Sequence, residues 1–212
     1  MRREERLLLA ALVWPLAMQG LDHREIFRNE LMAVVELTIL PGETEPMHAH
    51  GNYVSVQMSD ATAEVTEEGG AARKVELRRG EVLFRKPLQH MVKNVGSMEI
   101  RAIRIDFVGP GRPGDAPWGN VGLSPNYKVL FENQFARAYD IRIPAGTKEP
   151  QHTHRDRVVV CLSGAELRHL LPDGRIEVST LKTNEVAWRR GGAHIGQNLG
   201  RTDLWVIAIE PK

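Results

Sequence analysis

A chain of 212 residues with one cysteine, Cys161, can hold neither an intrachain disulfide framework nor a thiolate zinc cluster. Charge of one sign is also missing. With 28 basic and 27 acidic residues the formal net charge is +1, and a nucleic-acid binder would normally show a basic stripe. There is no Ser-His-Asp motif, no phosphate-cradling glycine loop and no paired cysteine, so hydrolase, nucleotide-dependent and disulfide-redox activities have no support. Between residues 27 and 212 no amphipathic helix stands out. What the chain has is an ordinary apolar fraction, 42%, enough to build a core.

The N-terminus reads Met1-Arg2-Arg3-Glu4-Glu5-Arg6, then LLLAALVWPLAM. A basic lead before a short apolar run fits an export signal over residues 1–20, and the run is too short to span a bilayer. The alternative is an N-terminal helix packed on the body of a cytoplasmic protein. In either case the mature form is expected to have no membrane partner.

The sequence matches itself at one offset, 104 residues, the distance from His48 to His152. EPMHAH at 45–50 returns as EPQHTH at 149–154. Gly42, Ser59, Ala61, Gly70, Glu81, Val82 and Arg85 return as Gly146, Ser163, Ala165, Gly174, Glu185, Val186 and Arg189. His90, Asn94 and Gly96 return as His194, Asn198 and Gly200. The period is too long for a solenoid, so the reading is two copies of one domain. VGPGRPGDAPWGNVGLSPN, residues 108–126, carries five glycines and four prolines between them. Such a segment sustains neither helix nor strand and reads as a linker, with Trp118 expected to tuck against one domain. The domains expected are 21–107 and 129–212, joined by 108–128.

Each copy reads as strands. Val35, Leu37 and Ile39 alternate with Glu36 and Thr38, and Tyr139, Ile141 and Ile143 alternate with Asp140 and Arg142. A period of two marks a half-buried strand. With Pro41-Gly42, Gly69-Gly70 and Pro172-Asp173-Gly174 as turns, the pattern suggests an all-β sandwich or jelly-roll barrel.

Within a strand, residues i and i+2 face the same side, so His48 and His50 face together, as do His152 and His154. A third histidine follows 40 residues after each pair, at His90 and His194. Imidazole is a good ligand for divalent transition metals, and three nitrogens leave positions open for water or substrate. The opposing reading is a histidine set that only hydrogen-bonds inside the barrel. His23 and His169 fall outside the repeat and suggest no role.

These residues resemble the cupin superfamily. Gly42 with His48-Ala49-His50, and Gly146 with His152-Thr153-His154, are similar to its first motif. Gly80 with His90 and Asn94 resembles the second, as does Asn184 with Gly191, His194 and Asn198, where Asn184 replaces a glycine. The resemblance spans about residues 25–107 and 129–211. It implies two tandem antiparallel jelly-roll barrels, packed on one another as an intrachain pseudo-dimer, each with a pocket in its mouth. It also implies a divalent Fe, Mn, Ni, Zn or Cu ion held by His48, His50 and His90, by His152, His154 and His194, or by both trios.

The chain departs from the family at one place. Metal-binding cupins usually supply a glutamate shortly after His-x-His, and here those windows hold Tyr53-Val54-Ser55 and Arg157-Val158-Val159. Tyr53 and Arg157 take the missing ligand's position. An arginine beside a cation is costly unless an anion lies between them. Tyr53, Gln57, Phe84, Arg157 and Trp188 are candidates to line the pockets, although the alignment of Phe84 with Trp188 favours ordinary core packing for that pair. Glu45 and Glu149 either orient an imidazole or simply precede a proline in a loop. Arg85 and Arg189 form a basic wall or a solvated strand edge. Cys161, aligned with Gln57, is a small buried residue or a thiol near the second centre, and Asn94 and Asn198 are read as structural hydrogen-bonders. The resemblance implies either a metal-dependent enzyme, dioxygenase- or isomerase-like, or a non-catalytic small-molecule binder.

Overall fold

A computed structural model describes residues 22–109 and 124–212. Residues 1–20, read above as an export signal or a packed helix, and Trp118 lie outside the described residues, as does most of the segment read as a linker. Among the described residues there is no helix.

The first half contributes β1 (Asp22–Arg28), β2 (Met32–Ile39), β3 (Thr44–His50), β4 (Tyr53–Gln57), β5 (Ala61–Glu67), β6 (Arg73–Leu77), β7 (Val82–Arg85), β8 (Leu88–Asn94) and β9 (Ile100–Phe107). The second contributes β10 (Tyr127–Glu132), β11 (Ala136–Ile143), β12 (His152–His154), β13 (Arg157–Ser163), β14 (Ala165–Leu170), β15 (Ile176–Leu181), β16 (Val186–Arg189), β17 (Gly192–Asn198) and β18 (Leu204–Pro211). Each half forms a five-stranded and a four-stranded sheet. The orders are β1-β2-β9-β4-β7 and β3-β8-β5-β6, then β10-β11-β18-β13-β16 and β12-β17-β14-β15. Every step between strand neighbours, antiparallel throughout, recurs in the second half nine strands later. The all-β fold of two antiparallel jelly-roll barrels expected from the sequence is the fold observed.

The alternation along β2 explains both of its faces. Leu37 and Ile39 point into the first barrel, where Ile39, Ala61, Ala63, Leu77 and Ile100 form its closed end. The opposite face is not simply solvated. Met32 and Val34 join Val54, Val56, Ile103 and Ile105, and this apolar sheet face is continuous with Ala136, Ala138, Val158, Val160, Ile207 and Ile209 of the second half. Thr38 and Glu36 carry the polar remainder of the stripe. Burial of two apolar sheet faces against each other is the main stabilising term at this junction. Phe84 stacks on Phe135 at 5.8 Å between ring centroids, and Phe27 meets Trp188 edge-on at 6.1 Å.

The turns at the two matched second motifs show why asparagine replaces glycine. Gly80 has φ +83° and Asn184 has φ 67°. Both are left-handed, the region where asparagine is the best-tolerated non-glycine residue. Asn184 also accepts a 3.2 Å bond from the Arg79 guanidinium, which donates to the Leu162 carbonyl at 2.6 Å as well. Asn94 and Asn198 are buried hydrogen-bonders, as read from the sequence. Asn94 Nδ2 donates to the carbonyls of Ile39 and Met98, and Asn198 repeats this with Ile143 and Thr202.

Candidate metal centres

β3 and β8 pair so that His48 lies directly opposite His90, and β12 and β17 place His152 opposite His194. With His50 and His154 two residues on, three imidazoles converge in each barrel. Centroid separations are 4.5, 4.8 and 5.2 Å in the first trio and 4.8, 4.6 and 5.3 Å in the second. The candidate ligand atoms within each trio all lie within 4.8 Å of one another.

The tautomers suit a cation. His48 Nδ1 lies 2.7 Å from the Pro46 carbonyl oxygen, and His152 Nδ1 lies 2.9 Å from that of Pro150. A carbonyl only accepts, so Nδ1 carries the proton and Nε2 keeps its lone pair. That Nε2 faces His50 Nε2 at 2.7 Å and His154 Nε2 at 3.1 Å in the respective centres. Two imidazole nitrogens bound to one ion at about 2.0–2.1 Å would lie about 3 Å apart. His90 Nε2 is buried without a hydrogen-bond partner. An orphaned buried nitrogen is costly unless something polar meets it, and a cation fits that gap.

Burial pushes His50 down to about 3, helped by Arg104 and by the neighbouring imidazoles. His194 falls to about 3 through burial and the nearby His169 and His152. His90 and His154 shift in the same direction, again chiefly through burial. These rings are neutral at physiological pH, the form that ligates metal.

No protein-family model matches the chain, and no curated protein matches it. Solved structures do. Oxalate decarboxylase from Lactobacillus farciminis, in a formate complex, is 13% identical; the match covers 91% of this chain and 82% of that one, with a TM-score of 0.64. AerE from Microcystis aeruginosa is 12% identical over 91% of this chain and 97% of its own, with a TM-score of 0.61. The Mn(II)-containing oxalate decarboxylase of Bacillus subtilis is 13% identical over 85% and 69%, with a TM-score of 0.56. The chain has the bicupin fold.

The two mouths of this bicupin differ in size. The first encloses a cavity of about 100 Å³ and the second one of about 470 Å³. Leu88 and Val92 line the first, and the matched residues lining the second are Gly192 and Gly196. Arg104 also fills the first, whereas Ala208 holds its place in the second.

Tyr53 and Gln57 line the first cavity, and the Tyr53 ring lies 4.9 Å from that of His50. Arg157 lines the second, beside His154, with Arg189 on the paired strand. Burial lowers the Arg157 guanidinium from its usual range. Trp188 lies elsewhere. It pairs with Val158, whose side chain belongs to the apolar layer between the barrels, and it packs on Phe27 there. The parity of β16 sends Val186 and Trp188 to that layer and turns Arg189 to the pocket. Phe84 occupies the same layer. Cys161 is buried among Tyr139, Val159 and Val206, and burial pushes its thiol up to about 11. It is not among the residues lining the second cavity.

Four groups near the centres carry more than their sequence positions suggested. Glu45 Oε1 lies 3.2 Å from His48 Nε2 and 3.0 Å from His23 Nε2. The Tyr127 hydroxyl lies 3.1 Å from His152 Nε2 and 3.2 Å from Glu149 Oε2. His169 packs on His194 at 4.6 Å. Buried Glu210 faces His154 Nδ1 at 3.4 Å, and burial raises its carboxyl. Glu45 and His48 are three apart, which in a regular strand means opposite faces. The ladder slips between them, pairing Glu45 with Val92 but His48 with His90. Such a bulge re-aims a side chain. Only the offset hinted at the Tyr127 site, because Tyr127 falls on His23.

Proposed function

We propose that this chain is a divalent-metal bicupin whose second barrel receives a small anionic organic molecule. The observation that carries the reading is the convergence of three imidazoles in each barrel, with His90 Nε2 buried and unpartnered. His48, His50 and His90 would hold one ion, and His152, His154 and His194 another. Manganese, iron, nickel, zinc and copper all accept such nitrogen ligands, and manganese is the metal of the Bacillus subtilis structure noted above. A bound ion would polarise a substrate oxygen or activate water or dioxygen.

The chain's own residues do the rest. Arg157 and Arg189 offer planar donors to a carboxylate. Ile141, Val159 and Leu167 give the cavity an apolar wall that excludes water. Its volume falls in the range that holds small organic ligands, roughly 300–1,000 Å³. In the narrow first pocket Tyr53 and Gln57 would bind no more than a small group. The chemistry fits a dioxygenase- or isomerase-like enzyme.

In this reading the two barrels are duplicated domains, residues 21–107 and 129–212, packed as an intrachain pseudo-dimer. Residues 1–20 serve as an export signal.

The test is metal analysis of the purified chain, followed by calorimetry of the metal-loaded protein with formate, oxalate and benzoate. The expected result is up to two metal equivalents per chain and carboxylate binding that Arg157→Gln weakens. No metal above background would sink the reading. Dioxygen uptake or turnover with a bound ligand marks an enzyme, and release of the ligand unchanged marks a binding module instead.

A further inference from the structure

We propose that each centre draws a fourth donor from outside its histidine trio, and that the two donors differ: the Glu45 carboxylate in the first barrel and the Tyr127 phenol oxygen in the second. The proposal rests on the metal reading above and adds the identity of the ligand that the chain lacks after His-x-His.

In the first barrel the Glu45 side chain is only 7% exposed, and its Oε1 sits 3.2 Å from His48 Nε2. That oxygen has no hydrogen bond of good geometry. A carboxylate oxygen can only accept, so burying it with no more than the poorly aligned His23 Nε2 contact at 3.0 Å is expensive. Glu45 is not among the groups whose ligand atoms already lie within 4.8 Å of one another, so a turn of its side chain towards a cation on the three imidazoles would remove the deficit of Glu45 Oε1 and of His90 Nε2 together. His23 Nε2, 3.0 Å from the same oxygen, is a positioning residue for it.

The matched glutamate in the second barrel is in a different state. Glu149 Oε1 accepts from Ser124 Oγ at 2.9 Å and from Asn126 Nδ2 at 3.1 Å, and its Oε2 accepts from the Tyr127 hydroxyl at 3.2 Å. Its needs are met, so it stays out of the trio. Tyr127 stands one repeat after His23 and reaches in instead, 3.1 Å from His152 Nε2 and 3.4 Å from His154 Nε2. One phenol proton faces the Glu149 carboxylate and His152 Nε2 there and can satisfy only one at a time, while His154 Nε2 donates or accepts according to its tautomer. A cation would take the two nitrogens and the phenol oxygen as ligands. The displaced phenol proton then passes to Glu149 Oε2, which already faces it. The first centre becomes three nitrogens with a carboxylate, the second three nitrogens with a phenolate.

Cupric ion titrated into the metal-free full-length chain tests this, read by visible absorption and electron paramagnetic resonance. The expected result is two copper signals and a phenolate-to-copper charge-transfer band that saturates with one equivalent. Tyr127→Phe should abolish the band and keep the copper. Glu45→Gln should weaken copper at the first centre by more than the roughly 10–100-fold lost with a residue that only supports a ligand, and leave the band intact. Two bound equivalents with no band in the unaltered chain would overturn the Tyr127 assignment without any variant being needed. Copper lost on His48→Ala and His152→Ala but indifferent to Glu45→Gln and Tyr127→Phe would overturn this proposal alone. No copper at either trio would overturn the metal reading as well.

Discussion

Trp205 of the second barrel lies over Gly80 of the first, so close that a Cβ on Gly80 would sit 2.2 Å from the indole Cζ2. Gly80 also has φ +83°. Gly80→Ala should therefore cost about 2–4 kcal/mol, the sum of overpacking and left-handed strain. Asn184→Gly, at the matched turn, trades one bond from Arg79 for relief of that strain and should change stability by less than about 1 kcal/mol. Urea midpoints of the two variants check this, and equal midpoints would contradict it.

The two centres are separate, so metal loss should be separable. His48→Ala should remove one metal equivalent and His152→Ala the other, with the double variant metal-free. Elemental analysis after dialysis gives the count. Because the second trio is the more buried, its metal should exchange more slowly with a chelator.

Acid should weaken the metal-free fold through these same rings. His50 and His194 have folded-state values near 3 against an ordinary 6.5. Between those values the unfolded chain binds protons that the folded chain refuses. Stability is therefore fully present above about pH 6.5 and falls as pH drops towards about 3. The Glu210 carboxyl, raised by burial, pulls the opposite way. The pH dependence of the urea midpoint in wild type, compared with a His50→Gln/His194→Gln variant, isolates the imidazoles. A variant with an unchanged slope would show that they do not supply it.

Arg157 should set ligand affinity without holding metal. Arg157→Gln is expected to weaken carboxylate binding about 10–100-fold, the range for losing a charged hydrogen bond, at unchanged metal content. Arg157→Lys should recover part of it, because lysine restores the charge but not the planar fork. Calorimetry measures both, and equal affinity in all three proteins would place the anion elsewhere.

The sequence by itself determined the doubled barrel and the six imidazoles that meet in two sets of three. Alternation with period two and a fixed offset act through local geometry, and strand pairing then brings His48 to His90 without further information. Tertiary structure alone decided which groups stand beside each histidine trio and where the large aromatics go. The bulge between Glu45 and His48 reverses the parity that spacing would assign, and no residue type announces it. Tyr127 and His23 come from the first strand of each half, which belongs to the five-stranded sheet and not to the four-stranded sheet that carries the trio, so their approach depends on how the two sheets face each other. Trp188 looked like a pocket residue because pocket and interbarrel layer both want aromatic side chains. Which face of β16 meets which layer depends on the second barrel packing against the first, a contact between surfaces distant in sequence.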